Sequence, residues 1–399
     1  MPRSLPHRFR PLLAMCSVAL VAAACSSGSS GTSSATSPAS STTSAPATSV
    51  TSFSVPGPYA AGTTRVTLPD GDLVQLWYPV EPSAVVGKPT YTYSLKTWVP
   101  ASLSSNPLLA SLPSSVPTTS YFDAPIATDT SPSDDPSHAF PVVLFAHGYA
   151  SYPEQSSFLT DHLATWGFVI AAPDEQATSL ATVLGGAKTG PGLTAGQALD
   201  ATLAYLHTAE TTPGNLLHGR LDLTRIGAVG HSLGGGAAIT LADNPQIKSY
   251  AALAPAPGTP PSSPKPGLVM YGSSDTIVPP SSVKATYAKL PTPKRLIVID
   301  TAGHNVFDDI CTIQADGTRL VDLLKSLNGK GGPLGTFSTL ATDGCFAPDV
   351  DPPTAWPLID HAVTAQMRDG LGLSPAGTGF GPGIGTAFPG VTATYSFRS

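Results

Sequence analysis

The sequence predicts an α/β fold, a doubly wound and mostly parallel sheet entered through an N-terminal antiparallel hairpin. Three observations carry this. Apolar strand-like runs alternate with helical patterns over about 230 residues, as they do where helical crossovers join parallel strands. The run Val142–Phe145 is continuously apolar, which suits a central strand covered on both faces. The stretch "TTRVTLPDGDLVQLWYPV" sets a Pro-Asp-Gly-Asp turn signal between two β-forming runs, which reads as a hairpin.

The elements follow in order. After the hairpin and a loop-rich segment at about 81–139, "FPVVLFAHGY" supplies the central strand. In "EQSSFLTDHLATWG", Phe158, Leu159, His162, Leu163 and Trp166 recur at helical spacing, and Gly167 closes the helix. "FVIAAPD" is a buried strand and "TAGQALDATLAYLHTA" a helix. The strand "RIGAVG" then leads into the helix "SLGGGAAITLAD". Strands follow at "SYAALAPA", "GLVMYG" and "KRLIVID", with the helix "SVKATYAKL" between the last two. "TAWPLIDHAVTAQMRDGL" is the last helix. In such sheets ligands bind beyond the carboxyl ends of the strands.

The two ends of the chain differ from this middle. Residues 1–24 combine an arginine-bearing start with the apolar run "PLLAMCSVALVAAA", which reads as a signal peptide. "VAAAC" matches a lipobox in outline, so Cys25 is the expected lipid-bearing N-terminus of the mature chain, with Ala22 in place of the usual leucine. Cleavage without lipidation is the competing expectation. Residues 25–52 are a Ser/Thr-rich tether too poor in apolar side chains to fold. The catalytic domain is expected over 53–372, and a loosely attached Gly/Pro-rich tail over 373–399.

Composition narrows the function classes. Only 12% of residues are charged and the net charge is −6, so the chain carries no basic footprint for nucleic acid. No metal-ligand spacing or cofactor motif stands out, and none is expected. "GGAKTG" lacks the glycine that a phosphate loop needs before its lysine, and "DTSPSDDPSH" lacks calcium-loop spacing. In an exported chain the two cysteines left after processing, Cys311 and Cys345, are expected to pair.

The chemistry centres on "IGAVGHSLGGGAA", residues 226–238. Gly230, His231, Ser232 and Gly234 form a G-x-S-x-G pattern where a buried strand turns directly into a small-residue helix. That is the context of a nucleophile elbow, in which a serine hydroxyl is held above the sheet at a helix N-terminus. The hydroxyl needs a base, and the base an orienting acid, in the chain order Ser, acid, His. Two histidines follow Ser232. His361 lies mid-helix, whereas His304 sits in "TAGHN" beyond a strand end, so His304 is the candidate base. Asp275 in "SSDTIVPP" ends another strand and is the preferred acid; Asp300, on the strand of His304 itself, competes, and Asp243 reads as solvated. The backbone N–H groups of Leu233 and Tyr149 are the candidate oxyanion donors. His147, beside Tyr149, is read as a support for that loop.

"PGPYAAGTTRVTL", "LVQLWYPV", "PVVLFAHGYASYPEQSSFLTDHLATWGFVIAAPD", "GHSLGG", "YGSSDTIVPP" and "GHNVFDD" occur in this order over about 300 residues. Together they resemble the α/β-hydrolase branch of dienelactone-hydrolase-like proteins, platelet-activating-factor acetylhydrolases and bacterial cutinase-type polyester hydrolases. His304, Phe307 and Asp309 form an H-x-x-F-x-D element similar to the acetylhydrolases, while "GHSLGGGA" and "HGY" are equally similar to the polyester hydrolases. The resemblance implies a Ser232–His304–Asp275 triad and a Tyr149/Leu233 oxyanion hole. It also implies carboxylic ester hydrolysis through an acyl-enzyme on a small-molecule, lipid or polymer ester, as in the acetylhydrolases and dienelactone-hydrolase-like esterases first, with a cutinase-type polyester hydrolase as the alternative. The chain is expected to act as an exported monomer that meets a membrane only through lipid on Cys25. A non-catalytic surface binding protein on the same scaffold is the reading outside this class.

Overall fold

The computed structural model describes residues 49–99, 112–113, 115–128, 139–185 and 192–399. The signal peptide, Cys25, most of the tether, "DTSPSDDPSH" and all but the first residue of "GGAKTG" lie outside the described residues.

Ten strands form the main sheet: β1 (Ala60–Thr67), β2 (Leu73–Val80), β3 (Tyr121–Phe122), β4 (Phe140–Ala146), β5 (Val169–Pro173), β6 (Leu221–His231), β7 (Ile247–Leu253), β8 (Gly267–Gly272), β9 (Lys294–Ile299) and β10 (Ala393–Arg398). Their spatial order is β10-β9-β8-β7-β6-β4-β5-β2-β1-β3. The block from β9 to β5 is parallel throughout. β1 and β2 pair antiparallel from Ala60–Val80 to Thr67–Leu73, and β2 joins β5 antiparallel, as the hairpin reading requires.

Helices cover both faces. One layer holds α2 (Ala195–Thr211), α3 (Leu233–Leu241) and α4 (Pro280–Lys289). On the other face lie α1 (Ser157–Thr165) and α7 (Pro352–Gly370), while α5 (Leu320–Lys325) and α6 (Pro333–Thr342) form a separate small layer. The alternation of side chains along a strand divides β4 between two cores. Val142, Leu144 and Ala146 join the α2/α3 core; Val143 and Phe145 join the α1/α7 core. This two-sided burial is why β4 reads as an unbroken apolar run. α2 begins with a full capping box, Thr194 with Gln197. α1 ends against Gly167, whose φ of +88° suits a residue without a Cβ.

The C-terminal segment corrects one expectation. Residues 373–399 are not loosely attached: β10 pairs antiparallel with β9, from Ala393–Ile299 to Arg398–Lys294. Ile384 and Phe388 are buried in the α1/α7 core. Glycine and proline dominate the composition of this segment, but its β-forming end covers what would otherwise be an open edge of the sheet.

Cys311 and Cys345 are bonded, 34 residues apart in sequence, and tie the segment after β9 to the residues beyond α6. Closing a loop of that length stabilises the fold by about 3–4 kcal/mol in the chain-entropy picture. Reduction is therefore expected to lower the melting temperature. Differential scanning fluorimetry with and without reductant checks this, and an unchanged transition would remove the bridge from the stability account.

Candidate active site

The strand order reverses around β4: the chain moves from β4 to β5 on one side and returns to β6 on the other. A crevice opens at the carboxyl ends of strands flanking such a switch point. The loop His147–Ser151 leaves β4 there, and Ser232 leaves β6 beside it.

Ser232 adopts φ +57° and ψ −118°, a region costly for a residue with a Cβ and held only by strong surroundings. Those surroundings are visible. Its N–H donates to the Leu253 carbonyl at 2.8 Å, and its carbonyl accepts from Gly236 and Ala256 at 3.2 and 2.9 Å. The neighbouring glycines permit the turn by close approach. A Cβ on Gly230 would lie 2.2 Å from the Gly234 carbonyl oxygen, and one on Gly234 would lie 2.1 Å from that of Ala146. The elbow thus packs backbone against backbone, and Ser232 is buried apart from 8% of its surface.

His304 follows β9 and Asp275 follows β8, two adjacent parallel strands. His304 Nδ1 lies 2.8 Å from Asp275 Oδ2, and both side chains are buried. Asp275 Oδ1 accepts the N–H groups of Ile277 and Val278 at 2.9 and 2.8 Å, which fixes the carboxylate plane. With Nδ1 engaged, Nε2 is the ring nitrogen free to serve a neighbour. Ser232 and His304 line one cleft with Tyr149, Tyr152, Ile310, Phe337 and Leu340. The remaining candidates separate cleanly. Asp300 donates its N–H to Thr392 and makes no side-chain bond to His304 among the described residues. Asp243 is exposed and its carboxylate accepts from Ser262. His361 is wholly buried, accepting from the Phe53 N–H at Nδ1 and lying 2.7 Å from the Gly379 carbonyl.

The backbone N–H groups of Tyr149 and Leu233 meet no acceptor among the described residues. Leu233 opens α3, where N–H groups lack intrahelical partners, and Tyr149 borders the same cleft. Tyr149 is 46% exposed, so it stands at the mouth rather than in the core. His147 supports this loop: its ring nitrogens lie 2.8 and 2.6 Å from the carbonyls of Gly148 and Asp174. Burial holds the His147 ring below its ordinary pKa.

Gln155 escapes a reading of the sequence, as does the part His231 plays beyond the elbow. Gln155 accepts the Gly148 N–H at 2.6 Å and donates its amide to His231 Nδ1 at 2.9 Å. His231 Nε2 in turn reaches the His304 carbonyl at 3.2 Å. Burial, with His304 nearby, drives the His231 pKa well below its usual value. The ring is therefore neutral, and Nε2, the nitrogen left protonated, donates. One chain of hydrogen bonds thereby joins the Tyr149 loop to the His304 loop. Asp309, from the H-x-x-F-x-D element, accepts from the N–H and hydroxyl of Ser157 and so caps α1. Burial pushes its carboxyl up to about 7 against those bonds.

Comparison with known proteins agrees with this architecture. A family described as PET hydrolase-like matches residues 127–318. The chain is 29% identical over 197 residues to a bis(hydroxyethyl) terephthalate hydrolase of Streptomyces coelicolor, covering 48% of this chain and 58% of that protein. The chain therefore spans little more than half the length of this curated relative. A solved ferulic acid esterase from Streptomyces cinnamoneus superposes with a TM-score of 0.54 at 20% identity, over 86% of this chain and 97% of that one. That likeness establishes the fold, a mostly parallel α/β-hydrolase sheet.

Proposed function

We propose that this chain, an α/β-hydrolase of the branch that holds esterases and polyester hydrolases, is an exported serine carboxylic ester hydrolase. The observation that carries the reading is the buried His304–Asp275 pair, 2.8 Å apart, opening on the cleft of a strained Ser232. A binding protein on the same scaffold has no need of a backbone strained at one serine and a buried acid aimed at one histidine.

In this reading Ser232 Oγ attacks the ester carbonyl carbon while His304 Nε2 takes its proton. The N–H groups of Leu233 and Tyr149 receive the oxyanion, each donor being worth about 2.7–4 kcal/mol of barrier. Collapse expels the alcohol, which takes the proton from His304, and leaves an acyl-enzyme. Water then attacks with His304 again as base, releasing the acid and Ser232. Asp275 holds the imidazole tautomer and stabilises the imidazolium.

For the substrate we favour esters of aromatic carboxylic acids over acetyl phospholipids. Both relatives are named for aromatic esters, and the cleft wall of Tyr149, Tyr152 and Phe337 suits a flat ring. The acetylhydrolase alternative rests on the H-x-x-F-x-D element, and its Asp309 is engaged as a helix cap. Export by the N-terminal segment, lipid on Cys25 and a monomeric state belong to the same proposal. The test is a panel of hydroxyethyl terephthalate, feruloyl, p-nitrophenyl and acetyl glycerophospholipid esters. Aromatic-acid esters are expected to lead by about tenfold or more in kcat/KM. A lead for the acetyl phospholipid would reverse the substrate assignment, and an inert panel would sink the hydrolase reading.

A further inference from the structure

We propose that Asp343, at the C-cap of α6, is a positioning residue that holds the acid and base of the site in register; this rests on the reading that His304 and Asp275 serve Ser232. The two partners stand on separate loops, beyond β8 and β9, and the 2.8 Å contact between them depends on how those loops are fixed. The loops meet near their roots, where Ser274 N–H donates to the Ala302 carbonyl and Thr301 N–H to Ser273 Oγ, both at 2.9 Å, but these bonds do not reach Thr276 or His304. Asp343 belongs to neither and binds both. Its Oδ1 accepts the His304 N–H at 2.5 Å. Its Oδ2 accepts the N–H of Thr276, the residue after Asp275, at 3.2 Å, and the Thr276 hydroxyl as well.

The backbone around Asp343 extends the same grip. Its carbonyl accepts the Asn305 N–H at 3.1 Å and the Asn305 amide at 3.0 Å, and that amide also donates to the Leu340 carbonyl at 2.7 Å. The two segments touch main chain to main chain, since a Cβ on Gly303 would lie 2.3 Å from Gly344 Cα. Two residues beyond Asp343, Cys345 is bonded to Cys311. The helix that ends at Asp343 also brings Phe337 and Leu340 to the cleft. This side of the cleft wall and the carboxylate that binds both loops therefore belong to one helix and its cap.

A carboxylate is what this position requires. Three donors from two loops converge on it, and hydrogen bonds to an ionised acceptor are about twice as strong as neutral ones. Asparagine offers one acceptor oxygen, so its NH2 would face the N–H of either His304 or Thr276 and that bond would be lost. Alanine loses the bonds to both. Misplacing a reacting group by about 1 Å can cost on the order of a hundredfold in rate.

The experiment measures kcat, KM and melting temperature for wild type, Asp343→Asn, Asp343→Ala and Ser232→Ala against one p-nitrophenyl ester. Asp343→Ala is expected to lose about a hundredfold in kcat and Asp343→Asn about tenfold, with KM nearly unchanged and the Asn variant melting near wild type. Wild-type kcat in Asp343→Asn and Asp343→Ala, in an assay that Ser232→Ala silences, would overturn the role of Asp343 alone. So would a loss that appears in KM or tracks melting temperature across the two variants. If Asp343→Ala does not fold, the kcat of the Asn variant decides. Activity persisting in Ser232→Ala would instead overturn the underlying reading.

Discussion

Replacing Ser232 with alanine is expected to abolish ester hydrolysis while leaving the fold in place. Removing the nucleophile of a serine triad costs on the order of 10⁶ in turnover, because the covalent path is lost entirely. Stability should change little. The backbone bonds that hold the elbow, from Ser232 N–H to Leu253 and from Gly236 and Ala256 to the Ser232 carbonyl, do not involve the hydroxyl. Alanine carries the same Cβ into the same φ of +57°, so the strain is carried over unchanged. Steady-state kinetics on the purified variant, with circular dichroism to verify folding, checks both halves. More than a few per cent of residual turnover would place the nucleophile elsewhere.

Asp275→Asn is expected to lower kcat by about 10⁴, the size of effect seen when a triad acid becomes an amide. The geometry explains why so small a change matters. Oδ1 of Asp275 is committed to the N–H groups of Ile277 and Val278. An asparagine there must keep its carbonyl oxygen on those donors and turn its NH2 toward His304 Nδ1. That nitrogen would then have to accept, which moves the ring proton to Nε2, where the base must be free to receive one. Asp300→Asn should be far milder, because the contact of Asp300 with the tail is made by its own N–H to Thr392 rather than by its carboxylate. The two variants measured side by side decide between the acids; the reverse ranking would transfer the role to Asp300.

The parts of the site that the sequence makes legible are those set by short-range patterns. Ser232 is readable because the strand, the small residues and the helix adjoin it in sequence. Asp275 and His304 are readable as candidates because each lies in the loop that follows an apolar strand, and such loops sit at the sheet's carboxyl edge. Gln155 and its bond to His231 are not, since that bond joins residues 76 apart whose side-chain directions no periodicity reveals. Asp343 escapes for a related reason: it lies in a stretch rich in glycine and short helices, where α5 and α6 are brief and broken by "NGKGGP". β10 was hidden by composition. The glycines and prolines of residues 373–390 suggest a free tail, and the edge pairing to β9 becomes visible only when the parallel sheet is assembled.

Hydrolysis by this site requires Ser232 to form a covalent acyl-enzyme, and covalent trapping tests that most directly. Incubating the active protein with a fluorophosphonate and sequencing its peptides by mass spectrometry should find one phosphonyl adduct, on Ser232, appearing in step with loss of esterase activity. The adduct should be absent from His304→Ala, whose serine lacks its base. An active enzyme that loses its activity through an adduct at another residue, or that resists the reagent altogether, would contradict the account.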